Sequence, residues 1–220
     1  LWSPTVSKIR YFCIHTNQSH FKTECSIYSM FMDDMSCPEE IIHFSAGIHP
    51  WYLTQSNADE QWYWLLSKVK KEGLVAIGEC GLDKLKGASL AVQLSIFKRC
   101  VALAEECSLP LIIHAVKCTE ELIQIKKEMK PRMPWIIHGF RGRREVASVY
   151  LKHGFYLSFG EHFQDDALRS VPLDRIFLET DESRLSIDEI YQRVAETYGI
   201  TMDLLIDSIT SNVEKVLYLR

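Results

Sequence analysis

No Cys-x-x-Cys pair occurs in this 220-residue chain, although it carries seven cysteines: Cys13, Cys25, Cys37, Cys80, Cys100, Cys107 and Cys118. Their odd number and irregular spacing argue against a disulfide framework and for reduced, mostly structural thiols, as in a cytosolic protein. No apolar run reaches the length of a membrane span and no stretch reads as a signal peptide, so no membrane partner and a cytoplasmic location are expected. Positive charge is not in excess, with 25 Lys and Arg against 29 Asp and Glu. A net charge of -4 argues against bulk coating of nucleic acid, but not against a local basic rim around a small acidic substrate. There is no linker, low-complexity segment or composition shift. One domain over residues 1–220 is therefore expected, large enough to bury a core unaided, with residues 1–8 as a loose lead-in and a monomer or weak oligomer as the assembly.

What is present is a regular alternation. The apolar runs RYFCIH, SIYSMFM, HFSAG, LVAIGE, LPLIIH, PWIIHG, FYLSFG and DRIFLET read as strands centred near residues 13, 29, 45, 76, 112, 136, 157 and 177. Unbroken apolar runs are the mark of strands buried on both faces. Between and after them lie amphipathic helical stretches, among them one opening with an Asn57 cap, one with a Thr119 cap and two at the tail. Trp62, Tyr63 and Trp64 on the first helix read as core. The pattern is a repeated βα unit, and eight strands favour an α/β fold of the (β/α)8 barrel type. The chain is short for a barrel, and residues 1–50 leave little room for helices, so the barrel is expected to be compact and distorted near its N-terminus.

A barrel places its chemistry where its strands end. Here the runs close on His15, His49, Glu79, His114, His138 and the pair Glu179 and Asp181. One histidine at a strand end is ordinarily structural, but six polar ends converging on one mouth form a donor set for zinc or manganese. A glutamate between two such clusters can bridge two ions, which together clamp a displacement reaction. Beyond these ends come Lys84, Lys86, Lys117, Arg141, Arg143 and Arg144, cations able to hold phosphate oxygens or simply to dress the loops. Glu161 and His162 read as a surface pair at the rim.

In sequence order, AGIHPW, VAIGECGLDK, PLIIHA, WIIHGFRG, DRIFLETDES and SNVEKVLYL resemble the motifs of the TatD family of metal-dependent deoxyribonucleases, within the amidohydrolase-like barrels. The resemblance runs from about residue 11 to residue 219. It implies one to three divalent ions (Zn, Mg or Mn; one or two are expected here) and hydrolysis of phosphodiester bonds, with DNA ends or small phosphodiesters as substrates. CIHTN aligns with the family's aspartate-x-histidine-x-histidine strand end. His15 is kept, Asn17 stands where the second histidine belongs and Cys13 where the aspartate belongs. One ion position then keeps His15, Glu79 and Asp181 with weak help from Asn17; the other keeps Glu79, His114 and His138. His20 is a substitute to weigh. The family's arginine after the first mid-chain histidine is replaced, with Lys117 in its place. Asp181 is the expected general base, Glu79 the bridging ligand, and Arg141 and Lys117 the grip on the phosphate.

The competing readings are a different amidohydrolase-like activity, such as a lactonase or small phosphoesterase, and a non-catalytic relative with an impaired metal site. Barrel and ligands alone do not separate the first of these from a nuclease. Asn17 is the main support for the second.

Overall fold

Each of the eight apolar runs becomes a strand, because continuous Ile, Leu, Val and Phe can be buried only when both faces of a sheet are covered. The structure is a computed structural model and describes residues 11–18, 25–33 and 42–217. His20, Cys37 and the lead-in lie outside them. The strands are β1 (Cys13–Thr16), β2 (Ser26–Met30), β3 (Phe44–Ala46), β4 (Leu74–Asp83), β5 (Leu111–Val116), β6 (Trp135–Ile137), β7 (Tyr156–Phe159) and β8 (Ile176–Leu178). They pair in chain order, all parallel. The ring closes just past β8, where Thr16 and Asp181 form a parallel bridge. The Asp181 N–H donates to the His15 carbonyl at 3.1 Å, and the Asn17 N–H to the Asp181 carbonyl at 3.4 Å. The result is a (β/α)8 barrel.

The helices are α1 (Ala58–Lys68), α2 (Leu90–Cys107), α3 (Thr119–Met129), α4 (Arg144–Lys152), α5 (Asp165–Arg169), α6 (Ile187–Tyr198) and α7 (Met202–Leu217). Among the described residues no helix separates β1, β2 and β3, in line with the expected economy of the N-terminal part. Parallel crossovers put the helices outside the ring, where their apolar stripes cover it. Trp135 at the start of β6 packs edge-on against Phe97 of α2 and Phe155, both with ring centres at 5.5 Å. Tyr191 of α6 brackets Phe12 before β1, its hydroxyl accepting from the Phe12 N–H and donating to the Phe12 carbonyl, both at 3.0 Å. Asn212 of α7 donates to the carbonyls of Leu173 and Ile176, both at 2.8 Å, and so fixes the entry to β8. No helix among the described residues is long and apolar enough to cross a membrane.

Four local expectations need correction. Asn57 sits at the N-cap of α1 but does not cap it. Its Oδ1 accepts from the Thr54 N–H at 2.7 Å and its Nδ2 donates to the Tyr52 carbonyl at 2.9 Å, so the preceding turn has taken its side chain. Thr119 is the first residue of α3 rather than its cap, and its hydroxyl meets that of Tyr150 at 3.1 Å. Of the aromatic trio on α1, Trp62 and Trp64 pack partly against the core, but Tyr63 is 71% exposed. Three consecutive helical residues fan out over more than half a turn and cannot all face inward. Finally, β4 does not stop at Glu79 but runs on to Asp83.

Candidate metal centre

The carboxyl ends of β1, β3, β6 and β8, with the second halves of β4 and β5, deliver the polar residues that the sequence singles out. Glu79 is the hub. Its strand carries a register shift against β5 between Ile77 and Cys80, the kind of irregularity that re-aims a side chain next to a site. The neighbouring turn after β3 comes in so close that a Cβ on Gly47 would lie 2.4 Å from the Glu79 carbonyl oxygen; only glycine fits.

Around the Glu79 carboxylate the imidazoles converge. Oε1 lies 2.8 Å from His49 Nε2, 2.9 Å from His114 Nδ1 and 2.7 Å from His138 Nε2. Oε2 lies 3.4 Å from His15 Nε2, which is in turn 3.5 Å from Asp181 Oδ1. The far nitrogens of two of these rings are held as well: His114 Nε2 by Asp83 Oδ2 at 3.0 Å, and His138 Nδ1 by Glu179 Oε1 at 3.2 Å. A carboxylate on the far nitrogen fixes an imidazole's tautomer and orientation and raises its basicity as a ligand. Asp83 is itself oriented by the Trp51 indole N–H, which donates to the same Oδ2 at 2.6 Å.

The electrostatics follow from this packing. Burial alone would push the Glu79 carboxyl up, but the charge of His138 and hydrogen bonds from His114, His138 and His49 outweigh it and hold the group well below the carboxylate range. Burial alone would pull His138 down, but the Glu79 and Glu179 carboxylates raise it well above the ordinary histidine value. Asp181 also ends below its ordinary value: burial opposes ionisation, and the neighbouring imidazole of His15, with His138, prevails over Glu79. Asp83 is lowered likewise, against burial, by Trp51 and His114.

Three donor groups have their ligating atoms within 4.8 Å of one another: His15, Glu79 and His138; His49, Glu79 and His114; His138, Glu179 and Asp181. The set fits a divalent cation on grounds internal to the protein. Both ring nitrogens of His15 and one oxygen of Glu179 are buried without a hydrogen-bond partner, and such groups are ordinarily satisfied. Imidazole with carboxylate is a donor set that zinc and manganese accept.

The structure thus brings His15, Glu79, His114, His138 and Asp181 together, with His49 among them. Asn17 arrives differently. Its amide nitrogen, not its oxygen, faces the cluster, donating to Asp181 Oδ1 at 3.1 Å, while its Oδ1 is buried without a partner. An amide N–H has no lone pair to offer a cation, so in this arrangement Asn17 steadies a carboxylate. Cys13 is turned to the seam: its thiol contacts the His15 carbonyl at 3.2 Å and Thr180 Oγ1 at 3.5 Å, and burial pushes it up to about 11, so it stays protonated.

The basic rim is thinner than the sequence implies. Lys84 pairs with Glu121 of α3, and the Lys86 ammonium lies 3.7 Å over the Trp51 ring. Arg143 and Arg144 begin α4 in solvent. Lys117 is exposed just beyond β5. Arg141 lines a recess of about 230 Å³ together with Glu179 and Asp181. Glu161 accepts from the Ser183 hydroxyl at 2.6 Å and lies 3.9 Å from His162. Asp83 and Trp51 escaped the sequence reading as site residues. The signal for Asp83 was present: Glu79, Gly81 and Asp83 alternate on one face of a strand that continues past its apolar run.

Comparisons with known proteins agree with this geometry. A family model described as TatD related DNase matches residues 34–218. An uncharacterized metal-dependent hydrolase of Bacillus subtilis, YabD, is 30% identical over 199 residues, covering 80% of this chain and 78% of its own. The 3'-5' ssDNA/RNA exonuclease TatD of Pantoea ananatis is 28% identical over 199 residues, covering 78% and 76%. Among solved structures, the TatD homologue YJJV of Escherichia coli K12 superimposes with a TM-score of 0.77 at 19% identity, over 89% of this chain and 86% of that one.

Proposed function

Since the chain belongs to the TatD-related DNase family and is a metal-dependent hydrolase of that type, we propose that it cleaves phosphodiester bonds at the ends of DNA strands. The observation that carries this reading is the Glu79 carboxylate, ringed by imidazoles on both oxygens and bordered by Asp181 and the Arg141 recess. Similarity to an exonuclease acting on single-stranded DNA and RNA supports the substrate class.

In this reading Glu79, His114, His138 and His15 hold one or two divalent ions, with Asp181 at the edge. Ions bound there supply Lewis acidity, drawing negative charge off the phosphoryl oxygens and making water more acidic. The protein's own residues do the rest. Asp83 and Glu179 keep His114 and His138 in one orientation. Asp181, ionised at neutral pH, takes a proton from the attacking water, and Asn17 fixes its Oδ1 for that task. Arg141 holds a non-bridging oxygen from the recess, with Lys117 further out on the rim. The thiols of Cys13, Cys80, Cys100 and Cys118 are buried, which suits a reducing, cytoplasmic setting.

The test is the metal content of the purified protein, followed by release of nucleotides from 3'-labelled oligonucleotides with manganese or magnesium. Release that depends on the added ion and stops on chelation is expected. Hydrolysis of a lactone with no cleavage of any phosphodiester at millimolar manganese would overturn the reading. Arg141→Ala should weaken cleavage of DNA and barely touch a neutral lactone.

A further inference from the structure

Beside the ligand cluster the rim is apolar where loops are ordinarily polar. Trp51 is 39% exposed, Tyr52 51% and Leu85 66%. These residues come from two segments, one following β3 and one at the end of β4, and the segments are locked together. Asp83 does this with both oxygens: Oδ2 accepts from the Trp51 indole, and Oδ1 accepts the backbone N–H of Leu85 at 2.7 Å and of Lys86 at 3.1 Å. Gly87, at φ 93°, closes the second segment onto the first; a Cβ there would lie 2.0 Å from the Pro50 carbonyl oxygen. On this frame the Lys86 ammonium sits over Trp51, and Phe31 of the segment after β2 stacks on Tyr52 with ring centres at 5.1 Å and planes at 21°. The rings abut the site. Trp51 is 5.3 Å from the His114 ring and Tyr52 is 5.4 Å from that of His49.

We propose that this rim is a base-stacking subsite for single-stranded nucleic acid, seating the nucleobase next to the phosphodiester at Glu79. The inference rests on the phosphodiesterase reading above and adds to it the residues that seat the base beside the scissile bond. Aromatic faces accept any base, because every base has a π-face, and a neighbouring cation follows the backbone. A base held inside a duplex keeps its stacking partners and does not reach the rim, so single strands and frayed ends are the ligands that fit. Only one ring's width separates the platform from the imidazoles, so the stacked base and the reacting phosphate are neighbours along one strand. Because the two segments are tied through Asp83 and Gly87, the platform is in place before the strand arrives, and little freedom is lost on binding.

The test uses the full chain supplied with manganese and fluorescent single strands with non-hydrolysable phosphorothioate linkages. Fluorescence anisotropy compares strands of intact sequence with strands carrying an abasic residue at the terminal or the penultimate position. The wild type is expected to bind one of the abasic strands about tenfold more weakly than the intact strand, the scale of one base–aromatic contact. Tyr52→Ala should abolish that discrimination and Tyr52→Phe should keep it. Equal binding of all three strands by the wild type, a comparison that needs no variant to fold, would overturn the proposal. So would discrimination unchanged in Tyr52→Ala, or self-association of the chain through this rim without any preference among strands. Strand discrimination without cleavage of unmodified DNA would sink the phosphodiesterase reading and leave the platform standing; cleavage without discrimination would do the reverse.

Discussion

The two oxygens of Glu79 have unequal surroundings. Oε1 is met by His49, His114 and His138, all within 2.9 Å, and the far nitrogens of His114 and His138 are braced by Asp83 and Glu179. Oε2 has His15 at 3.4 Å, a ring whose nitrogens make no hydrogen bond, and beyond it an Asp181 already engaged by Asn17. The first flank has the more completely braced donors, the arrangement that suits a tightly held cation. On the second, Asn17 presents an amide N–H, a donor where a cation needs an acceptor. The lesson is that ligand count alone misjudges a site: what holds the far side of each ligand decides how well it is presented.

The sharpest way to break this comparison is to remove one imidazole from each flank. His114→Ala should remove most of the bound metal, read by elemental analysis, and reduce hydrolysis to background; His15→Ala should retain a measurable fraction of both. Equal losses would abolish the distinction. Next in size, Asp181→Asn should lower turnover by about 10²-fold through loss of a general base, with KM changing much less in steady-state assays. Asp83→Asn should weaken metal affinity by about 10–100-fold in calorimetric titration, the usual effect of removing a ligand's outer partner.

The same flank makes a pH prediction. Glu79 and Glu179 raise His138 well above its ordinary value of 6.5, against burial. In metal-free protein the stability this proton confers is fully present below 6.5 and is lost as pH rises through the elevated folded value. Thermal melts in chelator should show that decline, and a His138→Gln variant should flatten it. Because a metal ion must expel the proton, affinity should climb over the same range. The smallest change expected is a gain: Asn17→His should tighten the loose flank severalfold, seen as a second binding event in calorimetry.

Much of this was legible in the sequence. All eight strands lie where the apolar runs placed them, because burial on both faces favours continuous apolar side chains. The convergence of His15, Glu79, His114, His138 and Asp181 followed from their places at strand ends. Asp83 was passed over because GECGLD breaks the apolar run that marked the strand, although the alternation of Glu79, Gly81 and Asp83 was there and the backbone stays paired to β5 through Val116. The orientation of Asn17 was beyond reach too. Whether an amide shows its oxygen or its nitrogen is decided by its neighbour, and that neighbour lies 164 positions along the chain. The surroundings of the rim lysines were out of reach for a similar reason, since Glu121 pairs with Lys84 and Trp51 lies beneath Lys86.

Asp181 has a second place in the molecule, since the bridge that joins the last strand to the first passes through its backbone. In the proposed mechanism one residue is thus both the latch of the ring and a reacting group of the site. A chain still emerging from the ribosome has Glu79, His114 and His138 well before it has its latch, and on that mechanism it gains hydrolytic competence only when residue 181 docks on residues 15–17. Recovery of activity after denaturation should therefore lag behind recovery of helical signal, which makes turnover a reporter of ring closure.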